Sequence, residues 1–475
     1  MTAEVAAREA PSSSGLELLK TLWELRSDPL MPFVRGVERY GDIGQARVPG
    51  LRLIRVHRAE HVEHVLVRNQ DNYPKGPEID LLRPVLGRGL VTSRGEPWRR
   101  QRRLIQPMFA KRHLEPFATH MTAAGARLLD EWESTYRDGD RLDVAQAMMA
   151  LALDVAGRAL FGADLTGETT MTVRAAVTEA LTELAQAGRS PLINAAAALP
   201  GMTIDRALWL RPRHRLHLRA RIAELDGIVA QMIESHRNGS RGRDDLLTLL
   251  MSEQMDDRQL RDEVVTFLGA GHETTANALA WMWWLLDAHA WARDWLHDEV
   301  DELLEGRPPA FADADRLTWT RAVVQETLRL YPPVWNVLRR VQRDDVIGGV
   351  RIPADSVVMV LIYMTHRDPE VWPDPERFDP TRFLPEQAQG RPRHAFIPFG
   401  AGRRVCVGAS FALTEATLLA AMIAQRFVLE REPRERGVPE AQLTLRPRGG
   451  LPMRLHRRGS SRRALPEVSQ LLPLR

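Results

Sequence analysis

The chain has one cysteine, Cys406, within Phe399-Gly400-Ala401-Gly402-Arg403-Arg404-Val405-Cys406-Val407-Gly408. A glycine-rich loop thus presents a single thiol just ahead of the apolar stretch 411–423, which reads as a helix. Amides at a helix N-terminus and the positive end of its dipole both favour a thiolate. Gly402 and Gly408 lack side chains, so a flat ligand can approach the backbone closely. Arg404 offers a fixed cation to an anionic group on that ligand. A lone axial thiolate beside a cation suits haem iron, because one protein ligand suffices and the porphyrin supplies the rest. An isolated cysteine is otherwise a small hydrophobe of the core. The frame around Cys406 tips the balance towards chemistry.

Other groupings point the same way. Ala270-Gly271-His272-Glu273-Thr274-Thr275 interrupts an apolar helical pattern over 257–289. A threonine there can hydrogen-bond a preceding carbonyl and loosen the helix locally. Glu326-Thr327-Leu328-Arg329 sets an acid and a base three apart, which alone is common on helix surfaces. Pro375-Glu376-Arg377-Phe378 lies downstream, and Trp98 and Arg102 share one face of a helix at i,i+4. Phe399, Gly402, Arg404, Cys406 and Gly408 together resemble the cysteine-loop signature of the cytochrome P-450 superfamily. The remaining groupings resemble further motifs of that family and occur in its order. The resemblance spans about residues 16–455.

The resemblance implies a role for each grouping. Cys406 would be the axial ligand of haem b, with Phe399, Gly402 and Gly408 framing it. Ala270 and Gly271 would open a groove beside the haem, and Glu273 with Thr274 would organise water for proton delivery. Trp98, Arg102, Arg404 and Arg339 (or its neighbour Arg340) would meet the propionates. Glu326, Arg329 and Arg377 would form a buried ion network locking the cysteine loop. His272 receives no role, and a solvated side chain is the simplest reading of it.

The elements positioning these residues are mainly helical with a minor β part. Residues 48–56, with Pro49-Gly50 near the start, suggest a small sheet. A long helix is expected over 257–289, and another over 319–331 that Pro332-Pro333 must stop. The apolar run 357–364 reads as a buried strand. Residues 368–383, punctuated by four prolines, read as an ordered meander. Residues 1–15 look like a loose leader and 458–475 like a basic, disordered tail. Between them, 16–457 would be one haem domain with no fused reductase.

Composition excludes several classes. The 475 residues carry a net charge of +3, and the hydrophobic share of 44% is enough for a large core. A single cysteine rules out a disulfide framework or a multi-thiolate metal site. The arginines are interspersed with acids, which disfavours nucleic-acid binding. No basic start followed by an apolar stretch marks a signal peptide. The longest apolar runs, 278–286 and 357–364, fall short of the roughly 18 residues of a membrane span. A cytoplasmic monomer is the resulting expectation.

The implied activity is insertion of one oxygen atom from dioxygen into an apolar small molecule. No flavin or nucleotide fingerprint is present. Electrons would come from a separate ferredoxin or flavodoxin with an NAD(P)H-dependent reductase. Arg99, Arg100, Arg103, Lys111, Arg112 and Arg403 form a candidate docking patch. By resemblance the pocket would be lined by Leu82, Val85, Leu192, Met202, Phe267, Val334, Trp335 and Val337. Such an apolar lining fits a hydrocarbon-like compound, and the motifs resemble bacterial members that oxidise terpenes or fatty acids. A terpenoid is the first expectation. A fatty acid would need a carboxylate anchor such as Arg52 or Arg55. A peroxide-dependent peroxygenase or a non-catalytic haem-thiolate sensor would share the cysteine loop, and Glu273-Thr274 counts against both.

Overall fold

The computed structural model describes residues 7–13, 20–21, 23–25, 27–48, 51–163, 176, 179–180, 212–239, 245–253 and 255–459. Its centre is helix α7 (Asp257–Ala288), for which α1 (Met31–Tyr40), α2 (Gly95–Ile105), α3 (Glu115–Thr135), α4 (Val144–Phe161), α5 (Pro212–Gly239) and α6 (Leu246–Ser252) precede in the chain. The Asp256 carboxylate caps α7 by accepting from the Gln259 amide at 2.7 Å. At about 1.5 Å per residue its 32 residues run about 48 Å. Apolar residues on nearly every side make it a core helix. Its largest helix contact is with α4.

Helices α8 (Ala290–Leu304), α9 (Thr318–Leu330) and α10 (Ala409–Arg426) complete the helical layer. Helix α9 stops where Pro332-Pro333 removes two backbone donors, and α10 is buried almost throughout. Helix α4 has the length and hydropathy of a membrane span, yet two-thirds of it is buried inside the fold. It is the only such helix among the described residues.

The main sheet has the order β1-β2-β3-β8-β5, formed by Ser12–Ser13, Ile43–Val48, Leu51–Val56, Val357–Val360 and Val337–Arg340. Strands β2 and β3 pair antiparallel, β3 and β8 parallel, and β8 and β5 antiparallel. Three small sheets hold β4 (Asp140–Asp143), β6 (Asp345–Ile347), β7 (Val350–Ile352), β9 (Phe427–Arg431), β10 (Pro439–Ala441), β11 (Leu445–Pro447) and β12 (Pro452–Arg457). The sheet expected around 48–56 is present and starts earlier.

Three expectations change. The run 357–364 is strand only as far as Val360; after Leu361 it turns into a short helix, Ile362–Thr365. Apolar periodicity alone does not separate a buried strand from a buried helical turn. The leader is partly built in, since Ser12 and Ser13 pair with Gln45 and Ala46, and the Arg8 amide donates to Gly349 O at 3.0 Å. At the other end Arg458 donates to Asp301 at 2.9 Å, so the ordered chain passes the expected boundary. Residues 460–475 lie outside the described residues.

Candidate active site around Cys406

The cysteine loop is built from backbone hydrogen bonds. The Cys406 amide donates to Phe399 O at 2.9 Å and the Val405 amide to Gly402 O at 3.1 Å. Gly402 has φ +70°, and a Cβ there would lie 1.8 Å from the Leu66 carbonyl oxygen. It is therefore required for loop geometry and protein packing, not for ligand approach. Gly408 is different: a Cβ there would meet only Phe109 and the Cys406 sulfur at 4.0 Å, so space remains above the thiol. Phe399 is half-buried and packs against the main core.

The Gly408 amide donates to the Cys406 sulfur, and Arg102 lies near enough to favour the thiolate. Burial outweighs both and pushes the thiol up. The Gly408 amide and Arg102 therefore do not by themselves bring the thiol down. Cys406 is surrounded by protein, yet its side chain is exposed. Helix α7 carries a second feature of note. From Glu263 to Leu286 every residue is buried except Ala270, Gly271 and Thr274, which share one face. The Thr274 hydroxyl donates to Ala270 O at 2.9 Å, the back-bond expected of it.

A third feature is visible in the cations. Arg404 stacks on Trp98 at 3.7 Å and donates to Ser93 O at 3.0 Å. Burial, then Arg339, Arg102 and Arg94, pull it down to about 9. Lys75 donates to Val91 O at 2.6 Å. Burial, then Arg404, Arg339 and Arg94, pull it down to about 7. Among the described residues neither Lys75 nor Arg404 meets a carboxylate. Arg102 donates to Val405 O at 2.5 Å, next to the thiol. Arg339 is buried on β5 within this cluster, whereas Arg340 faces Asp355 at 3.7 Å. Cations gathered this closely favour an anion among them. An exposed thiol and the cations gathered around Arg404 fit haem with two propionates. Lys75 and Arg94 escaped the sequence reading, although Lys75 is one of only three lysines in an arginine-rich chain.

The Glu326–Arg329 pair forms as expected, but its third member changes. Arg329 donates to Glu326 through Nε at 2.7 Å and Nη2 at 2.8 Å, and both side chains are wholly buried. Arg329 also donates to His366 O at 3.0 Å, Pro375 O at 2.6 Å and Arg377 O at 3.0 Å. Glu326 accepts from the Asp379 amide at 2.8 Å. Arg377 contributes only its carbonyl, and its side chain is exposed. The second guanidinium near Glu326 is that of Arg382, at 3.7 Å. The meander turns tightly here, and that geometry selects Arg382 over Arg377.

Glu273 is buried, and its carboxylate accepts from the Thr444 hydroxyl at 2.5 Å. His272 is buried rather than solvated, with its Nδ1 against Leu268 O. Among the expected pocket residues, Val334 and Val337 are half-buried. Leu82 lies in the main core, and Phe267 stacks on Phe109 at 5.7 Å. Val85 is sealed in the core and lines nothing. Trp335 turns away into a separate cluster with Phe33 and donates to Gln442 O at 3.0 Å. Leu192 and Met202 lie outside the described residues. In the docking patch, Arg99, Lys111 and Arg403 are paired with Glu96, Asp315 and Asp71, leaving Arg100, Arg103 and Arg112 exposed and without an acidic partner among the described residues.

A helical domain with a small sheet, a single thiol in a glycine-rich loop and cations gathered about that loop fit a haem-thiolate protein. The chain belongs to the cytochrome P450 family, whose model matches residues 11–451. It is 34% identical to the cyclooctatin synthase of Streptomyces melanosporofaciens over 455 residues, 92% of this chain and 94% of that one. It is 36% identical to the cyclooctat-9-en-7-ol 5-monooxygenase of the same organism over 410 residues, 85% of this chain and 86% of that one. The solved structure of the cytochrome P450DA heme domain superposes with a TM-score of 0.85 at 27% identity, covering 95% of this chain and 98% of that one. The chain is a cytochrome P450 monooxygenase carrying haem on a cysteine thiolate and drawing electrons from a separate redox partner.

Proposed function

We propose that the chain hydroxylates or otherwise oxygenates a terpenoid, using electrons from a ferredoxin or flavodoxin. The observation that carries the chemistry is the opening on α7, where Thr274 sits beside Ala270 and Gly271 on an otherwise buried helix. Haem bound to Cys406 supplies reductive activation of dioxygen. The protein's own part is to hold that group, keep water ordered and deliver protons. Trp98, Arg102, Arg339 and Arg404, with Lys75, bind its anionic edge. The Thr274 hydroxyl, tied to Ala270 O, is placed to hold a water at the opening, and Glu273 is the neighbouring acid.

The terpenoid reading draws on the terpenoid-related names of the relatives and on the apolar character of Val334, Val337 and Phe267. The fatty-acid alternative loses one anchor, because Arg55 is buried and donates to Gly36 O and Gly41 O at 2.9 and 2.8 Å. An optical titration of the ferric protein with sesquiterpene and diterpene hydrocarbons, beside long-chain fatty acids, separates the two. A saturable low-to-high-spin shift with a terpene alone is expected. A shift with fatty acids alone would move the assignment to fatty-acid hydroxylation.

Thr274→Ala tests the proton role. With the compound identified by titration, product should fall about tenfold or more while reductant consumption continues and peroxide accumulates. An unchanged product yield removes Thr274 from proton delivery.

A further inference from the structure

Glu273 is the acid of the opening on α7, yet the group that holds it lies outside that helix. Thr444 sits in the turn between β10 and β11, and its hydroxyl donates to Glu273 Oε1 at 2.5 Å. The same oxygen accepts from Asn277 Nδ2, one helical turn beyond Glu273, at 3.2 Å. All three side chains are buried: Glu273 is 6% exposed, Asn277 2% and Thr444 5%. A hydroxyl has one proton to give, and an ionised carboxylate can only accept. Asn277 therefore orients the Thr444 hydroxyl so that its proton points at the Glu273 carboxyl oxygen, a short bond in a dry setting.

The hairpin carrying Thr444 is itself anchored to the wall expected to face substrate. The Leu445 amide donates to Pro333 O at 2.8 Å, and the Trp335 indole donates to Gln442 O at 3.0 Å. These two bonds bracket Val334. The segment 333–335 and the Glu273 carboxylate are thus connected through one short hairpin.

We propose that Thr444, oriented by Asn277, is a positioning residue that fixes the Glu273 carboxylate for proton delivery and ties it to the pocket wall at Val334. Thr444 touches no reacting atom. The inference rests on the reading of Glu273 as the proton-delivering acid. Without the hydroxyl, the carboxylate loses its strongest donor and its fixed orientation.

The test uses holoenzyme and needs no identified substrate. Reduced protein and excess reduced plant-type ferredoxin are mixed with air-saturated buffer, and ferredoxin oxidation is followed in ordinary and in deuterated water. Thr444→Val should slow oxidation at least threefold and raise the solvent isotope effect, in the same sense as Glu273→Gln. Thr444→Ser, which keeps the hydroxyl, should match the unaltered protein. Thr444→Ala repeats the test should the valine variant fold poorly, and an intact carbon-monoxide spectrum certifies each haem site. Unchanged kinetics in the Thr444 variants alongside a slowed Glu273→Gln would overturn the inference and leave the proton role of Glu273 standing. A lowered melting temperature with unchanged kinetics and isotope effect would make Thr444 merely structural, which also overturns it. Unchanged kinetics in Glu273→Gln itself would remove both readings.

Discussion

Cys406→Ser should abolish the thiolate signature of the reduced carbon-monoxide complex and reduce oxygenation to below about a thousandth of its value, a loss of roughly 4 kcal/mol in transition-state stabilisation. The fold should survive, because the loop is held by contacts the sulfur does not make. The Cys406 amide still reaches Phe399 O, Gly402 still turns against Leu66, and Arg102 still holds Val405 O. The loss would therefore be one of ligand identity. A serine hydroxyl ionises less readily than a thiol and donates less electron density to iron, and this chain has no second cysteine to substitute. Matching far-ultraviolet circular dichroism with a missing thiolate band is the expected pair of results. Persistence of that band in the serine protein would refute the ligand assignment.

Arg329→Met should be the most damaging change away from the haem. It leaves the Glu326 carboxyl wholly buried without its main partner, with only the Asp379 amide and the more distant Arg382 to offset it. Breaking a buried pair from one side costs about 3–5 kcal/mol. Three carbonyls, on His366, Pro375 and Arg377, lose their donor at the same time. Purified protein should contain little haem and melt well below the unaltered chain. Arg377→Ala should change stability by no more than about 0.5 kcal/mol, since that side chain is exposed. Haem content and melting temperature, measured on both variants, decide the matter. Equal damage from the two would restore Arg377 to the network.

The legible part of the molecule was whatever rests on local pattern. The bounds of α7 and α9 followed from apolar spacing and from Pro332-Pro333. Thr274 lies within bonding distance of Ala270 O because i to i−4 geometry is fixed by the helix itself. What escaped depends on chain segments far apart in sequence. Arg382 rather than Arg377 faces Glu326 because of how tightly the meander folds, which no spacing rule encodes. Thr444 meets Glu273 across a separation of 171 residues. Lys75 joins Arg404 and Arg339 only once the loop at 75–93 is laid against the β5 strand. Trp335 carried the apolar signature of a pocket residue, but its indole N–H found a carbonyl in the opposite direction. A side chain with two kinds of surface cannot be oriented from composition alone.

The meander around residues 366–379 gives three backbone carbonyls and one amide to two side chains on α9. Carbonyls are common to every residue type, so the side chain of an exposed residue such as Arg377 matters little to these bonds. Arg377 points outward and should accept broad substitution in a saturation library, whereas Asp374 holds a positive φ of 47° and Glu376 pairs with Arg367 at 2.9 Å. Positions 326 and 329 should accept almost none. Tolerance to sequence change and structural order are therefore separated in this protein: the segment most irregular in shape draws its shape from two residues some 40 to 50 positions earlier. A library designed to diversify the surface near the cysteine loop can begin there.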